Sequence, residues 1–277
     1  MLQSRPTKLW WLVGLVLLCV FLLIQLPAQW LLNKFSPNNP YLQQVSGNLW
    51  QGQANWQVMT QPNAPLTGTA QWQWQPWHIL TGKFGSAVTI RTGKTELKGQ
   101  VKLGKDSWQA NDFSGKITAD TLRQIVNWQL PDTPITIKEV SLAKSKQGFD
   151  KADGTLNWAG GEMSYPTGGR SYKMNLPNMQ GGLSVDKGNA GQSPNTTNAN
   201  VNNGNNGNAT STNGQRLHLA LTNPQGQRFG DFYIDNDNML DVALTQRFLK
   251  NMPEYKGQGV DDSVVVSIRQ PLTSMGQ

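Results

Sequence analysis

The chain holds few residues that could do chemistry, and their spacing gives none of them a partner. Of its two histidines, His78 follows Pro76 and Trp77, and His218 sits on the polar side of the alternating run LHLAL. A serine or cysteine nucleophile needs an adjacent base that a third group orients. Neither histidine has such a companion at a telling spacing, so both read as ordinary surface or half-buried residues. A zinc site needs several Cys and His ligands, and the one cysteine, Cys19, lies within an apolar run. Asp231 and the stretch Asp235-Asn-Asp237-Asn resemble a calcium loop, but the turn glycine and the closing glutamate are missing. A solvated turn is the better reading. Asp261 and Asp262 are neighbours in a turn and need not face a common point, so they do not make a general acid–base pair. Gly160-Gly161 and Gly181-Gly182 do not introduce a helix after a strand, as a nucleotide-binding loop would. Eleven tryptophans offer stacking surfaces for sugars or bases. Three of them border the apolar run and most others alternate inward, which reads as core packing. Catalytic, cofactor-binding and metal-ligating residues are therefore expected to be none, no cofactor is expected, and the chain does not read as an enzyme.

The element on which everything else is hung is the apolar run 9–26, preceded by Arg5 and Lys8. Leu9 to Ile24 carries no charged or strongly polar side chain, and Gln25 is the first interruption. Eighteen helical residues rise roughly 27 Å, close to the hydrocarbon thickness of a bilayer. A cleaved signal peptide would have a shorter apolar core and a small-residue cleavage site; here the exit QLPAQWLLNKF offers only Ala28. Trp10 and Trp11 at one end and Trp30 at the other suit the two membrane interfaces. An uncleaved single-pass anchor is expected, ahead of a cleaved signal or a buried soluble helix. Arg5 and Lys8 before the span outweigh Lys34 after it, which places the N-terminus in the cytoplasm and the remainder across the membrane.

The organisation that follows is a cytoplasmic N-terminus over 1–8, the transmembrane helix over 9–26, and a linker over 27–44. A β-rich region is expected over 45–186, an Asn/Gly-rich disordered loop over 187–215, and a second β-rich part over 216–277. Strict alternation carries the strand reading. Ala70, Trp72 and Trp74 oppose Gln71, Gln73 and Gln75. Phe84, Ser86, Val88 and Ile90 share one face, and Leu97, Val101 and Leu103 stand against Glu96, Lys98, Gln100 and Lys102. Arg91-Thr-Gly-Lys94 between these runs is a hairpin turn. Gly47 and Gly52 bracket a strand-like LWQ, which Gly154, Leu156 and Trp158 echo further on.

One segment breaks the pattern. Over 119–131, Leu122, Ile125, Val126 and Leu130 fall at helical spacing, Asp120 can cap the start and Pro131 marks the end. Between Ile137 and Val140 the apolar parity changes, as a β-bulge requires. Tyr172, Met174 and Leu176 form a further apolar face. Stretches 187–215 cannot bury enough apolar surface to offset their ordering entropy, and their sequons at Asn195 and Asn208 arise from composition. After it, Leu217, Leu219 and Leu221, a turn at 223–226, Phe232 and Ile234, a turn at IDNDNM, and Leu240, Val242 and Leu244 restore alternation. A turn of helix over 245–252 precedes a last strand with Val264, Val266 and Ile268. Two nearly equal sheet blocks are expected, with the loop between them or inside one sheet. The fold class is mainly β: a single transmembrane helix, then a periplasmic antiparallel sheet with one or two short helices.

A hydrophobic content of 37% implies a thin sheet rather than a deep core. An exported domain without cysteine is held by sheet and core alone, which suits a bacterial periplasm. The net charge of +7 comes from scattered lysines rather than a cluster, so nucleic acid is not an expected partner.

The anchor, then VSGNLWQGQA over 45–54, WQWQPWHILTGKFG over 72–85 and GTLNWAGGEM over 154–163 resemble the type II secretion system protein N family. DNDNMLDVALTQRF over 235–248 and VDDSVVVSIRQPL over 260–272 are similar to its closing strands, while the Asn-rich stretch departs from it. The resemblance implies a non-enzymatic accessory component of general secretion at the bacterial inner membrane, with other proteins of that machine as partners. The alternative is a tethered periplasmic lipid-binding or lipid-transport β protein, whose Trp, Leu and Val faces, Val101 and Leu103 among them, line a groove. A wall-acting enzyme is disfavoured by the missing catalytic constellation.

Overall fold

A computed structural model describes residues 7–35, 39–61, 64–74, 84–104, 106–125, 129–167, 169–187 and 215–271. His78 and the interior of the Asn-rich stretch lie outside them. The chain opens with α1 (Thr7–Ile24) and α2 (Ala28–Phe35). The described side chains of α1, such as Trp10, Leu15 and Leu22, are exposed. Among the described residues no helix is long and apolar enough to cross a membrane.

Strands follow in close succession: β1 (Leu42–Gly47), β2 (Gln51–Gln61), β3 (Ala64–Trp74), β4 (Phe84–Thr92), β5 (Thr95–Leu103) and β6 (Ser107–Ile117). After α3 (Ala119–Ile125) come β7 (Ile135–Ser145), β8 (Gly148–Trp158), β9 (Gly161–Thr167), β10 (Arg170–Leu176) and β11 (Met179–Asp186). The last elements are β12 (Arg216–Thr222), β13 (Arg228–Ile234), β14 (Met239–Thr245), α4 (Gln246–Leu249) and β15 (Val264–Pro271). Thirteen strands make one sheet in chain order, except that β9 and β10 leave it as a separate two-stranded hairpin. The expected two blocks are thus one sheet. β11 pairs directly with β12, from Asp186↔Arg216 to Gln180↔Thr222, so the Asn-rich stretch joins neighbouring strands.

Every neighbouring pair is antiparallel, so the connections alternate between two ends of the sheet. The β4–β5 turn is the expected hairpin, Thr92↔Thr95 closing over Gly93 and Lys94, with Gly93 at φ 54°. Of LWQ only Gln51 is strand, the first residue of β2; Leu49 and Trp50 form the β1–β2 turn, where Asn48 Oδ1 accepts from Trp50 N and Gln51 N at 3.0 and 2.8 Å. Its supposed echo, Gly154 to Trp158, lies inside β8. The residues differ in what they must do: Asn48 satisfies a turn's donors locally, whereas Leu156 and Trp158 pack a face.

The helix expected over 119–131 is described over Ala119–Ile125 and does not reach Gln129, which forms a β-bridge with Ser164. Thr118, not Asp120, occupies its start: Leu122 N donates to the Thr118 carbonyl, and Thr118 Oγ1 meets Thr95 Oγ1 at 3.2 Å. Asp120 instead pairs with Arg123 one turn on. Residues 129–133 turn away to serve the β9–β10 hairpin, with Gln129 and Ser164 exchanging both backbone bonds at 2.9 Å. Tyr172, Met174 and Leu176 therefore belong to this hairpin rather than to the main sheet.

The bulge expected between Ile137 and Val140 is present. The β7–β8 register slips between Lys138 and Ser141, and Glu139 sits at φ 51°. Gly154 faces it at φ 118°, where an added Cβ would stand 2.6 Å from the Val140 Cα. Both strain and a backbone clash oppose a side chain there. Gly154→Ala is expected to lower stability by about 2–3 kcal/mol, and Glu139→Gly to raise it by up to about 1 kcal/mol. Chemical denaturation of the two variants checks both signs.

Candidate functional site

The pleat sorts the sheet into two unlike faces. On one, a row of directly paired residues crosses twelve strands without a polar side chain. It begins Ala54↔Ala70, Ala70↔Ile90, Ile90↔Leu97 and Leu97↔Gly115. It continues through Ile137, Leu156 and Gly181 to Leu221. Gly230, Leu244 and Val266 complete it. At about 4.8 Å between strands, eleven steps make an apolar lane of roughly 53 Å. Ile90, Leu97, Ile137, Leu156 and Val266 along it are only half-buried.

Towards the β12–β15 side the lane runs under the β9–β10 hairpin. The hairpin contributes Met163, Met174 and Leu176, which pack with Leu130, Met179 and Phe229 as the buried core. Between hairpin and sheet lies a cavity of about 480 Å³, whose floor includes Leu221, Phe232, Val242 and Leu244. Phe248 and Met252, from α4 and the turn after it, close one side. Every lining side chain is apolar. The one indole among them, Trp158, donates Nε1 to Thr133 at 3.0 Å to the carbonyl and 2.9 Å to Oγ1. The cavity's size is in the range of small-molecule pockets.

The opposite face is charged. Ser184, His218, Tyr233, Asp241 and Arg269 lie in one cross-strand row over β11 to β15. His218 stacks on Tyr233 with ring centres 4.5 Å apart. Its Nε2 meets Asp231 Oδ1 at 2.7 Å and its Nδ1 meets Ser184 Oγ at 3.2 Å. Sequence spacing concealed this grouping, because thirty-four residues separate Ser184 from His218 and only the sheet register joins them. The order of contacts is that of a serine–histidine–acid relay. Ser184 is exposed and lines none of the described cavities.

Charge pairing explains why this face is built so. Asp231, buried, is held by His218 and by Arg228 Nε at 2.5 Å. Burial pushes its carboxyl up, yet the two hydrogen bonds and the Arg228 charge outweigh that and leave it below the usual carboxylate range. Arg216 is buried beside Asp186 at 2.5 Å, with Asp235 and Asp241 near 3.9 and 3.8 Å, and its guanidinium lies 4.5 Å over the Tyr233 ring. Arg269 reaches Asp235 at 2.7 Å and Asp241 at 3.6 Å. For Asp241, burial dominates and raises the pKa despite both arginines. The Asp235–Asn238 stretch is a turn, with Asn238 N donating to the Asp235 carbonyl at 3.1 Å. Among the described residues no cluster of metal ligands forms. Arg247 gathers Asp261 and Asp262 at 3.3 and 3.1 Å, which makes them ion-pair partners.

A family model described as type II secretion system (T2SS), protein N, matches residues 38–228. A "Type II secretion system protein N" of Aeromonas hydrophila is 30% identical over 162 residues, an alignment covering 53% of this chain and 60% of that relative. The chain thus spans about 60% of the length of that curated relative. No solved structure matches.

The two aspartates predict opposite outcomes. Asp231→Asn is expected to cost about 2–3 kcal/mol at neutral pH, since it leaves buried partners unsatisfied. Because the folded carboxyl titrates below 3.8, this stabilisation is present above that pH and is lost as pH falls through the lowered value. Asp241 has the reverse sign: its raised pKa makes ionisation a burden as pH rises from 3.8 through the folded value. Asp241→Asn is therefore expected to be neutral or mildly stabilising at pH 7. Thermal melts of both variants across pH check the contrast.

Proposed function

Because the chain belongs to the type II secretion system protein N family, we propose that it is a non-enzymatic accessory component of that machine, anchored in the bacterial inner membrane with its sheet in the periplasm. The observation that carries this is the family match, which runs from just before β1 to the first residue of β13. Support for the anchor comes from the sequence of α1. It is eighteen residues of helix, uncharged from Leu9 to Ile24, with Trp10, Trp11, Leu15 and Leu17 all more than 60% exposed. Such side chains gain by leaving water for lipid. The basic residues Arg5 and Lys8 favour a cytoplasmic N-terminus, and a cysteine-free remainder needs no disulfides outside the cytoplasm.

Contact with other machine proteins falls naturally on the sheet edges. Among the described residues β1 and β15 each pair with one neighbouring strand, which makes them the two edges of the sheet. The β1 side is partly engaged, since Pro27 bridges Asn48 and Leu49 N donates to Leu26 O. On β15, Val265 and Ile268 are nearly half exposed, which suits an edge that accepts a partner strand by β-augmentation. No catalytic, cofactor or metal residue is assigned in this role.

Deleting the gene in its host is expected to lower secretion of the machine's substrates and to remove this chain from the co-purified inner-membrane complex. Re-expression of the full chain restores both. The same sheet exported without α1 restores neither. Unchanged secretion in the deletion, or rescue by the untethered form, would count against the reading.

A further inference from the structure

We propose that the cavity beneath the β9–β10 hairpin holds one hydrocarbon tail of a membrane lipid, and that the apolar lane across the sheet is the surface on which the tail lies. A hollow of about 480 Å³ is far larger than the packing gaps of a protein interior. Gly181 and Gly230, on either side of the lining residue Leu221 in the same row, carry no side chain.

The lining selects the occupant. It offers no hydrogen-bonding group, so a strand or helix of another protein would bring N–H and C=O groups that find no partner. A sugar or nucleotide fails for the same reason. A hydrocarbon tail has nothing to satisfy. Met163, Met174, Met179 and Met252 in the walls can adapt to a tail of variable shape. The half-buried lane continues the same apolar surface beyond the hairpin, where an unoccupied face would remain in water.

Connectivity adds a direction. The β1–β2 turn, to which the α2 side of the chain is bonded, lies at one end of the strands. The hairpin, α3 and α4 are inserted at the other end, after β8, β6 and β14. A tail in the cavity has therefore left any bilayer that holds α1. The source of the lipid rests on reading α1 as an anchor; the chemistry of the cavity does not.

The test uses the full chain reconstituted in vesicles of phosphatidylethanolamine doped with a phosphatidylethanolamine that carries a diazirine near the end of one acyl chain. After illumination, cross-linked peptides are mapped by mass spectrometry. Labelling of the hairpin walls or of the segment around Met252 is the expected result, and added oleate competes it away. Met174→Trp and Met252→Trp fill the cavity from two different walls and are each expected to cut that labelling roughly tenfold or more. Lys98→Trp, at an exposed position of β5 next to Leu97 but on the face opposite the lane, leaves it unchanged. Label confined to α1 and α2, labelling insensitive to oleate, or full labelling of a folded Met174→Trp or Met252→Trp chain overturns the proposal. Competition by oleate is read on the unsubstituted chain, so a variant that fails to fold does not remove the test. Labelling is measured on purified chain, which keeps its outcome separate from that of the secretion experiments.

Discussion

A single antiparallel ladder with one apolar face is the constraint from which the rest of the structure follows. A sheet must set its apolar face against another layer, and the described residues supply little cover. Thirteen strands run in sequence order, and the three described elements inserted among them are small: α3, the β9–β10 hairpin and α4. All three are inserted at the same end of the strands. Cover is therefore local, with Leu130, Met163, Met174 and Leu176 packed on Met179 and Phe229. Elsewhere the lane stays half-buried. An incompletely covered apolar face is a binding surface by its physics, whatever the partner.

The opposite face meets the same problem with charge. Arg216 and Arg269 are threaded among Asp186, Asp235 and Asp241, and Asp231 is clamped between His218 and Arg228. Apart from Arg228 and Asp231, which share β13, these partners come from different strands or the turns beside them, so each such pair favours a particular register of β11 to β15. A slip by one residue would set the arginines among Leu219, Phe232 and Val242. Such a cluster specifies alignment where the strands are only seven or eight residues long. The Ser184–His218–Asp231 contacts belong to this alignment, which gives a structural reason for a grouping that would otherwise suggest catalysis.

In the first half, register is pinned differently. Bulges at Gln43/Ser46, Lys98/Gln100 and Lys138/Ser141 interrupt long strands, and the left-handed residue Glu139 meets the left-handed Gly154. Bulges raise local twist, which lets a sheet this wide depart from flatness. Gly99 yields its place to the Phe113 ring, whose atoms would lie within 2.4–2.7 Å of an added Cβ. The tryptophans take part in the same way. Trp50 and Trp74 meet at 4.1 Å across the β1–β2 turn, packing rather than presenting a stacking platform.

The sequence by itself determined the strands, because alternation such as Ala70-Gln-Trp72-Gln-Trp74 can satisfy both faces of a pleat in no other way. It determined the hairpin at Gly93-Lys94, the turns at Asn223–Gly226 and Asp235–Asn238, and the bulge after Ile137, each from local backbone chemistry. The family, too, was legible in short motifs. Tertiary structure alone decided that the strands form one ladder rather than two blocks, since the pairing of β11 with β12 is a long-range choice that no local pattern encodes. It stopped the expected helix short of Gln129, which bonds to Ser164 across the fold. It sent Tyr172, Met174 and Leu176 out of the sheet, and so made the cavity. His218 met Asp231 and Ser184 by register and not by spacing, which is why a chain read in order shows two lone residues where the folded sheet shows a network.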